Sequence, residues 1–331
     1  MTVKEVFDLR KQGKIEEAYA AIRPMYAAHQ GKYTTLCMFW TASDILKKRI
    51  GEKRTDEAIK IFEALQRVLP RIDDTDGKAH QAILHGALRL SDATDTGWAA
   101  ATPAAVDQTG DAPDFSMLNF IGRYGVENLT AADWQGSMST PKEGTHDQPH
   151  LLPSTAQRIL TRCFHEIQEH PDADHALKVM PLLEEAMRRS PRNKNNQRYM
   201  AVVYRIMGEK EKAIDIYQQL LTRHRDSFLY AELAQLTDDP GKKAALYCRA
   251  IQNQRQEQFR QGYRLALAQL LLGRDNTKAA YELQKVITTR QQQGYHLTRE
   301  LLSLQSQLQG VVASTEAEQQ AFYKKMAEKF L

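Results

Sequence analysis

His165-Glu166-Ile167-Gln168-Glu169-His170 carries the residue types of a zinc-hydrolase helix. That chemistry needs His-Glu-x-x-His, which sets two imidazoles one turn apart on one helix face with the glutamate as base. Here the second histidine is at i+5, turned ~140° away from the first on a 3.6-residue helix. Pro171 follows and ends the helix. His146-Asp147-Gln148-Pro149-His150 offers three more possible ligands in a polar loop, but no second ligand pair lies nearby. Gly122-Arg123-Tyr124-Gly125 is a bare Gly-x-x-Gly, and the RNA-clamping fold that uses such a loop needs strands that are not evident here. Glu184-Glu185 and Asp238-Asp239 read as solvated carboxylates. Neither a phosphate loop of the Gly-x-x-x-x-Gly-Lys-Ser/Thr type nor a Gly-x-Ser-x-Gly elbow occurs. The expectation is a chain that is not an enzyme and holds no metal and no cofactor.

The elements that would position these residues are helical. Ala, Leu, Gln, Glu, Lys and Arg dominate the 331 residues, against 11 prolines and 17 glycines. Apolar residues at helical spacing predict hairpins over 3–12 with 14–29, and 34–50 with 55–69, then a helix over 77–91. Gly13 separates the first pair, Gly51 breaks the second, and Pro70 follows it. Residues 92–113 lose the stripe and read as a loop. Phe115, Leu118, Phe120, Ile121 and Tyr124 restore a helix over 114–124, Thr130-Ala-Ala-Asp133 looks like a helix start, and 136–153 read as loop again. Ser154-Thr-Ala-Gln157 opens a run of pairs: 155–169 with 174–189, 195–206 with 210–224, 227–237 with 241–253, and 257–272 with 276–291. A further helix is predicted over 295–309. Thr315-Glu-Ala-Glu318 opens a last one with Phe322, Met326 and Phe330 along one side, expected to cover the end of the array.

One turn recurs. Gly208-Glu-Lys-Glu-Lys-Ala213 has the form of Gly13-Lys-Ile-Glu-Glu-Ala18, and Ala279 takes the place of Ala213 downstream. Ala201, Tyr204, Gly208, Ala213 and Tyr217 fall on the small and bulky positions of a repeat of about 34 residues. Leu267, Leu270, Ala279, Leu283 and Val286 do the same, and Ala58, Phe62, Leu65 and Pro70 match a second half-unit, as do Val179, Leu183, Ala186 and Pro191. In these residues the chain resembles the tetratricopeptide repeat (TPR) family. The resemblance implies an all-α fold, a right-handed α-solenoid of stacked helical hairpins with an irregular acidic insertion. It divides the chain into TPR-like repeats over 1–91, the insertion over 92–153 with loops and one or two short helices, repeats again over 154–310, and a capping helix over 311–331. The structural repeat positions are Ala18, Ala58, Ala201, Gly208, Ala213, Tyr217 and Ala279.

The implied function is a non-catalytic scaffold or adaptor that binds a protein partner, a peptide or helix, along its concave surface. Arg198, Arg205, Arg260 and Arg264 fall on first helices and are candidates to grip an acidic peptide or phosphates, set against a plain solvated charged face. Some family members clamp a peptide carboxylate with an Asn at the ninth repeat position. Val202 and Ala268 stand there, so that role is not carried over. The alternative is an RNA- or DNA-binding accessory protein of a bacterial multi-gene stress or defence system, using the basic C-terminal repeats with Tyr199, Tyr204, Phe259 and Tyr263 as stacking platforms.

Charge is segregated within the net +4. Residues 1–91 carry +4, 92–153 carry −7 and 154–331 carry +7. This suggests that the acidic insertion folds across the basic groove of 155–291 until a partner displaces it. The first ten residues lack an apolar signal-peptide core, no stretch is apolar enough for a membrane span, and Cys37, Cys163 and Cys248 are isolated. A cytoplasmic protein with no membrane partner is expected.

Overall fold

The computed structural model describes residues 1–94, 115–139 and 149–330. The loop expected over 92–113, Trp98, and the run His146-Asp147-Gln148 thus fall wholly or mostly outside the described residues. So does nearly half of the acidic insertion over 92–153, expected to cross the basic groove.

Among the described residues the chain is all-α, with sixteen helices and one two-residue strand pair. The first helices are α1 (Val3–Lys11), α2 (Ile15–Ala28), α3 (Lys32–Gly51), α4 (Thr55–Val68) and α5 (Lys78–Thr94). Next come α6 (Met117–Tyr124), a 3-10 turn Ala131–Trp134, and strands β1 (Ser137–Met138) and β2 (Leu151–Leu152). Then follow α7 (Thr155–Glu169), α8 (Ala173–Arg189), α9 (Lys194–Ile206), α10 (Lys210–Leu221), α11 (Ser227–Leu236) and α12 (Pro240–Asn253). The last are α13 (Gln261–Leu271), α14 (Asn276–Gln292), α15 (Arg299–Gln307) and α16 (Glu316–Phe330). Helices joined by the hairpin turns pack on each other, as α1 on α2, α3 on α4, α9 on α10, α11 on α12 and α13 on α14. Within 136–153, read as loop, the antiparallel pair sets Ser137 opposite Leu152 and Met138 opposite Leu151. Two-residue strands are too short to show alternation in sequence.

The chain divides into two units, and the division falls inside α8, between Leu182 and Leu183. Residues 154–182, grouped with the later repeats by pattern, cluster instead with the first unit. Its core contains Phe39, Phe62, Leu84 and Phe120. Aromatics of the irregular stretch pack onto α4: Phe62 meets Phe115 edge-on at 5.4 Å and Phe120 at 5.6 Å between ring centroids. The core of the second unit is built on Tyr217, Leu229, Cys248, Leu267 and Tyr323.

The recurring turn has one geometry. Gly13, Gly208 and Lys53 have φ of 77°, 81° and 59°, each five residues before a buried alanine: Ala18, Ala213 and Ala58. The next residue's N–H closes a six-residue loop in each: Lys14 to Leu9 O, Glu209 to Tyr204 O and Arg54 to Arg49 O, at 2.8–3.0 Å. This is the Schellman helix end, which favours glycine at the left-handed residue. Gly51, read as the breaker, is instead the last residue of α3, and Lys53 takes the left-handed position. Lys53→Gly is therefore expected to stabilise the chain by about 1 kcal/mol, and Gly208→Ala to destabilise it by a similar amount. A Cβ at Gly208 meets nothing within 4 Å, so the second effect is backbone strain alone. Urea midpoints at unchanged slope check both.

α16 lies against α12 rather than only covering the last hairpin. Its buried line is Gln319, Tyr323 and Ala327, one residue round from Phe322, Met326 and Phe330. Phe322 and Met326 are partly buried beside that line. The shift arises because two polar side chains, Gln319 and Tyr323, are drawn inside by a buried carboxylate described below.

Arg49 on α3 binds Glu16 of α2 through Nη1 and Nη2, at 2.5 and 2.8 Å, and also Glu52 and Glu57. Hydrogen bonds from Arg49 and then Lys48 hold Glu16 down at about 2. Tyr281, Gln320 and Lys285 hold Glu316 at about 2 in the second unit. Because these folded values lie below the ordinary 4.5, the stabilisation is complete above that pH and is lost as pH falls toward 2. Both carboxylates face solvent, so each effect is small. Unfolding midpoints between pH 7 and pH 2 should drop in this window, and Glu16→Gln should flatten the drop for the first unit.

Candidate functional site

Side chains on successive first helices of the second unit are bonded to one another at about one repeat's separation. Arg198 on α9 holds Glu232 on α11, with Nε 3.0 Å from both carboxylate oxygens and Nη2 2.5 Å from one. Its guanidinium also lies 4.5 Å from the Phe228 ring centre. Arg205 of α9 donates to Gln235 of α11. Lys194 binds Asp226 at 2.9 Å, at the N-terminal ends of the same two helices. From α11, Ser227 Oγ lies 3.5 Å from Tyr263 OH on α13, and Gln269 of α13 donates to Glu300 of α15 at 2.5 Å. Small buried residues on both helices of a hairpin, Ala201 with Ala213 and Ala268 with Ala279, allow the close approach that aligns these partners. The repeat positions Ala18, Ala58, Ala201, Ala213, Tyr217 and Ala279 are all fully buried.

The four arginines singled out from sequence thus have partners within the chain. Arg198 and Arg205 belong to the ladder. Arg260 donates from Nε to Gln254 O at 2.6 Å and from Nη1 to Glu257 at 2.9 Å. Arg264 corrects the expectation of a partner-facing cation, since only 4% of its side chain is exposed. It donates to Glu257 at 2.5 Å, to Glu282 of α14 at 2.6 Å, and to Tyr323 OH of α16 at 3.1 Å. Glu282, with no side-chain exposure, also accepts from Gln319 Nε2 at 2.6 Å and from Tyr323 OH. Burial pushes the Glu282 carboxyl up, while Arg264, Tyr323 and Gln319 pull it back without cancelling the shift. The result is a closed polar lock fastening α16 to α13 and α14. Of the aromatics considered for base stacking, Tyr199 is buried, Tyr204 and Tyr263 pack against the core, and Phe259 is exposed.

The zinc-like run has a different use. His170 follows the end of α7, and Glu166 reaches the N-terminus of α6. Its carboxylate accepts from Ser116 Oγ at 2.8 Å, Met117 N at 2.5 Å and Leu118 N at 3.3 Å. Burial pushes this carboxyl up, against the bonds from α6. Glu166 is thus a helix cap supplied from another helix, in place at the positive end of the α6 dipole. Glu166→Ala is expected to cost about 1–2 kcal/mol by leaving those N–H groups unpaired, read as faster hydrogen exchange at Met117 and Leu118. Among the described residues no group of three or more His, Cys, Asp and Glu could hold a metal ion.

One constellation is not visible in sequence. His80 of α5 places Nε2 2.8 Å from Asp133 Oδ2, and Tyr124 OH bonds His80 Nδ1. Asp133 also accepts from Thr130 N and Oγ1, both at 2.8 Å. Burial raises the Asp133 carboxyl, but the His80 and Thr130 bonds outweigh it and hold it below its ordinary value. Burial, followed by the charges of Asp133 and Asp74, raises Tyr124. An Asp–His–Tyr line resembles a proton relay. Here the line also clamps α5, α6 and the 3-10 turn together, with both ring nitrogens engaged by protein groups. The only part legible in sequence is the capping pattern Thr130-Ala-Ala-Asp133, because His80 and Asp133 are 53 residues apart.

Residues 197–329 match a family described as a domain of unknown function (DUF7017). The matched stretch lies within the second unit and runs from α9 into α16, so it includes the lock and the ladder apart from Lys194. No curated protein matches the chain.

Proposed function

We propose that this chain is a non-catalytic scaffold or adaptor, built of TPR-like hairpins stacked as a right-handed solenoid, that holds a protein partner. The reading is carried by the ladder from α9 through α11 and α13 to α15. Bonds between side chains 30 to 36 residues apart are what parallel first helices of consecutive repeats would make. Such a row presents a continuous helical face to a peptide or helix. Each arginine on it is held by a neighbour, which fixes its direction and lowers the entropy lost when a partner binds.

The burial of Tyr199 and the pairing of Arg198 and Arg264 remove these residues from the nucleic-acid reading, while the exposed ring of Phe259 is left to it. The three cysteines are free and buried, which fits a reducing cytoplasm. No helix among the described residues is long and apolar enough to cross a membrane.

Affinity capture of the intact protein from its own cells, with nuclease and at 50 and 200 mM salt, tests the proposal. A protein that stays bound in both conditions supports it. Recovery of the chain alone, or of nucleic acid lost steeply with salt, would sink it.

A further inference from the structure

A groove of about 570 Å³ opens along α10, α11 and α12, with Phe330 of α16 lining it as well. Its apolar lining includes Leu221, Leu233 and Leu246. Its charged lining is Arg225, Lys242 and Arg249, and among the described residues no carboxylate lines it. Several other cations of this unit, among them Lys194, Arg198, Lys210, Arg260 and Arg264, are matched by carboxylates within the chain. Among the described residues Arg225, Lys242 and Arg249 have no ion pair, although mutual repulsion makes three such neighbours unfavourable without counter-charge.

The spacing is directional. Lys242, Leu246 and Arg249 stand at i, i+4 and i+7 on α12, which puts them on one face with the two cations ~10 Å apart along the axis. Leu246 is almost fully buried between them. Arg225, beyond the end of α10, contributes charge from a different element. Gln218, Thr222 and Asn253 add side chains able to bond a peptide backbone.

We propose that this groove binds an acidic segment of a partner protein, with one large apolar side chain seated over Leu221, Leu233 and Leu246 and carboxylates on either side meeting Arg225, Lys242 and Arg249. The inference rests on the adaptor reading and adds a second place of contact, lined by other residues than the ladder. A peptide is favoured because Leu221, Leu233 and Leu246 offer an apolar seat, and since the rings of Tyr230 and Phe330 also line the groove and are able to stack on a base, the oligouridine probe below decides between the two. The cations set the on-rate and the register of the acidic segment, and the apolar anchor supplies affinity.

The test uses the full chain and fluorescence anisotropy with four probes. They are a labelled peptide of Asp and Glu with one central Leu-Phe pair, the same peptide with Ser-Ser in the centre, a Lys version of the first, and an oligouridine of matching charge. The first peptide should bind, and the serine and lysine peptides should bind at least about tenfold more weakly. Arg249→Glu and Lys242→Glu should each weaken binding about tenfold or more, while Arg274→Glu, on the exposed turn before α14, should leave it unchanged. Urea midpoints confirm that the variants fold. Equal binding of the serine peptide, preference for the oligouridine, or indifference to Arg249→Glu overturns the inference. A partner captured from cells equally by wild type and by Arg249→Glu would leave the adaptor reading standing and remove this site. Absence of any captured partner would remove the adaptor reading instead.

Discussion

Glu282→Ala is expected to destabilise the second unit by about 3–5 kcal/mol, because it strands a buried cation. Arg264 would keep Tyr323 OH and, as its one carboxylate among the described residues, Glu257, whose side chain is 38% exposed, while Gln319 and Tyr323 would lose their acceptor. Removing one member of a buried pair costs more than removing both, since the remaining charge stays desolvated. The double variant Arg264→Met with Glu282→Leu should therefore recover most of the loss. Urea unfolding of Arg264→Met, Glu282→Leu and the double gives the coupling directly. The same lock holds α16, so Glu282→Ala should also expose the segment between α15 and α16 to limited proteolysis. Equal losses in the single and double variants would show that the lock is not the source of the effect.

Phe62→Ala should cost about 3–5 kcal/mol in the first unit, the range for a buried aromatic that leaves a cavity. Phe62 is 1% exposed and meets both Phe115 and Phe120, so it joins a regular hairpin to the irregular stretch that follows α5. The cavity would therefore loosen α6 and with it the cap from Glu166. Hydrogen exchange should rise at Met117 and Leu118 in Phe62→Ala, while Phe62→Leu, which keeps much of the volume, should lose far less. Because the first and second units each have their own core, Glu282→Ala and Phe62→Ala should be additive.

The helices were legible in sequence to within a few residues. α2, α7 and α14 begin and end within about a residue or two of the ranges set by apolar spacing, because that signal and the caps arise from residues no more than four apart. The buried alanines were legible for a related reason, as Ala18, Ala58 and Ala213 stand at fixed distances from a turn whose bonds are local. The candidate site was much less so. Arg264 and Arg198 occupy equivalent places by register, yet one is sealed in a lock and the other stitched to the next helix. Periodicity identifies a helix face but not what covers it. α16 shows this most directly: its apolar stripe pointed to Phe322, Met326 and Phe330, and a buried carboxylate on another helix turned Gln319 and Tyr323 inward instead.

By itself, then, the sequence determined the all-α character, the hairpin turns and the small residues where helices meet, since each depends on backbone hydrogen bonds and spacing within a few residues. Only the tertiary structure decided that Glu166 caps α6, that His80, Tyr124 and Asp133 form a clamp, and that Arg264 is lost to any partner while Arg225, Lys242 and Arg249 face an open groove. Those pairings join groups as much as 59 residues apart, and a charge is paired or free according to which helices stack beside it.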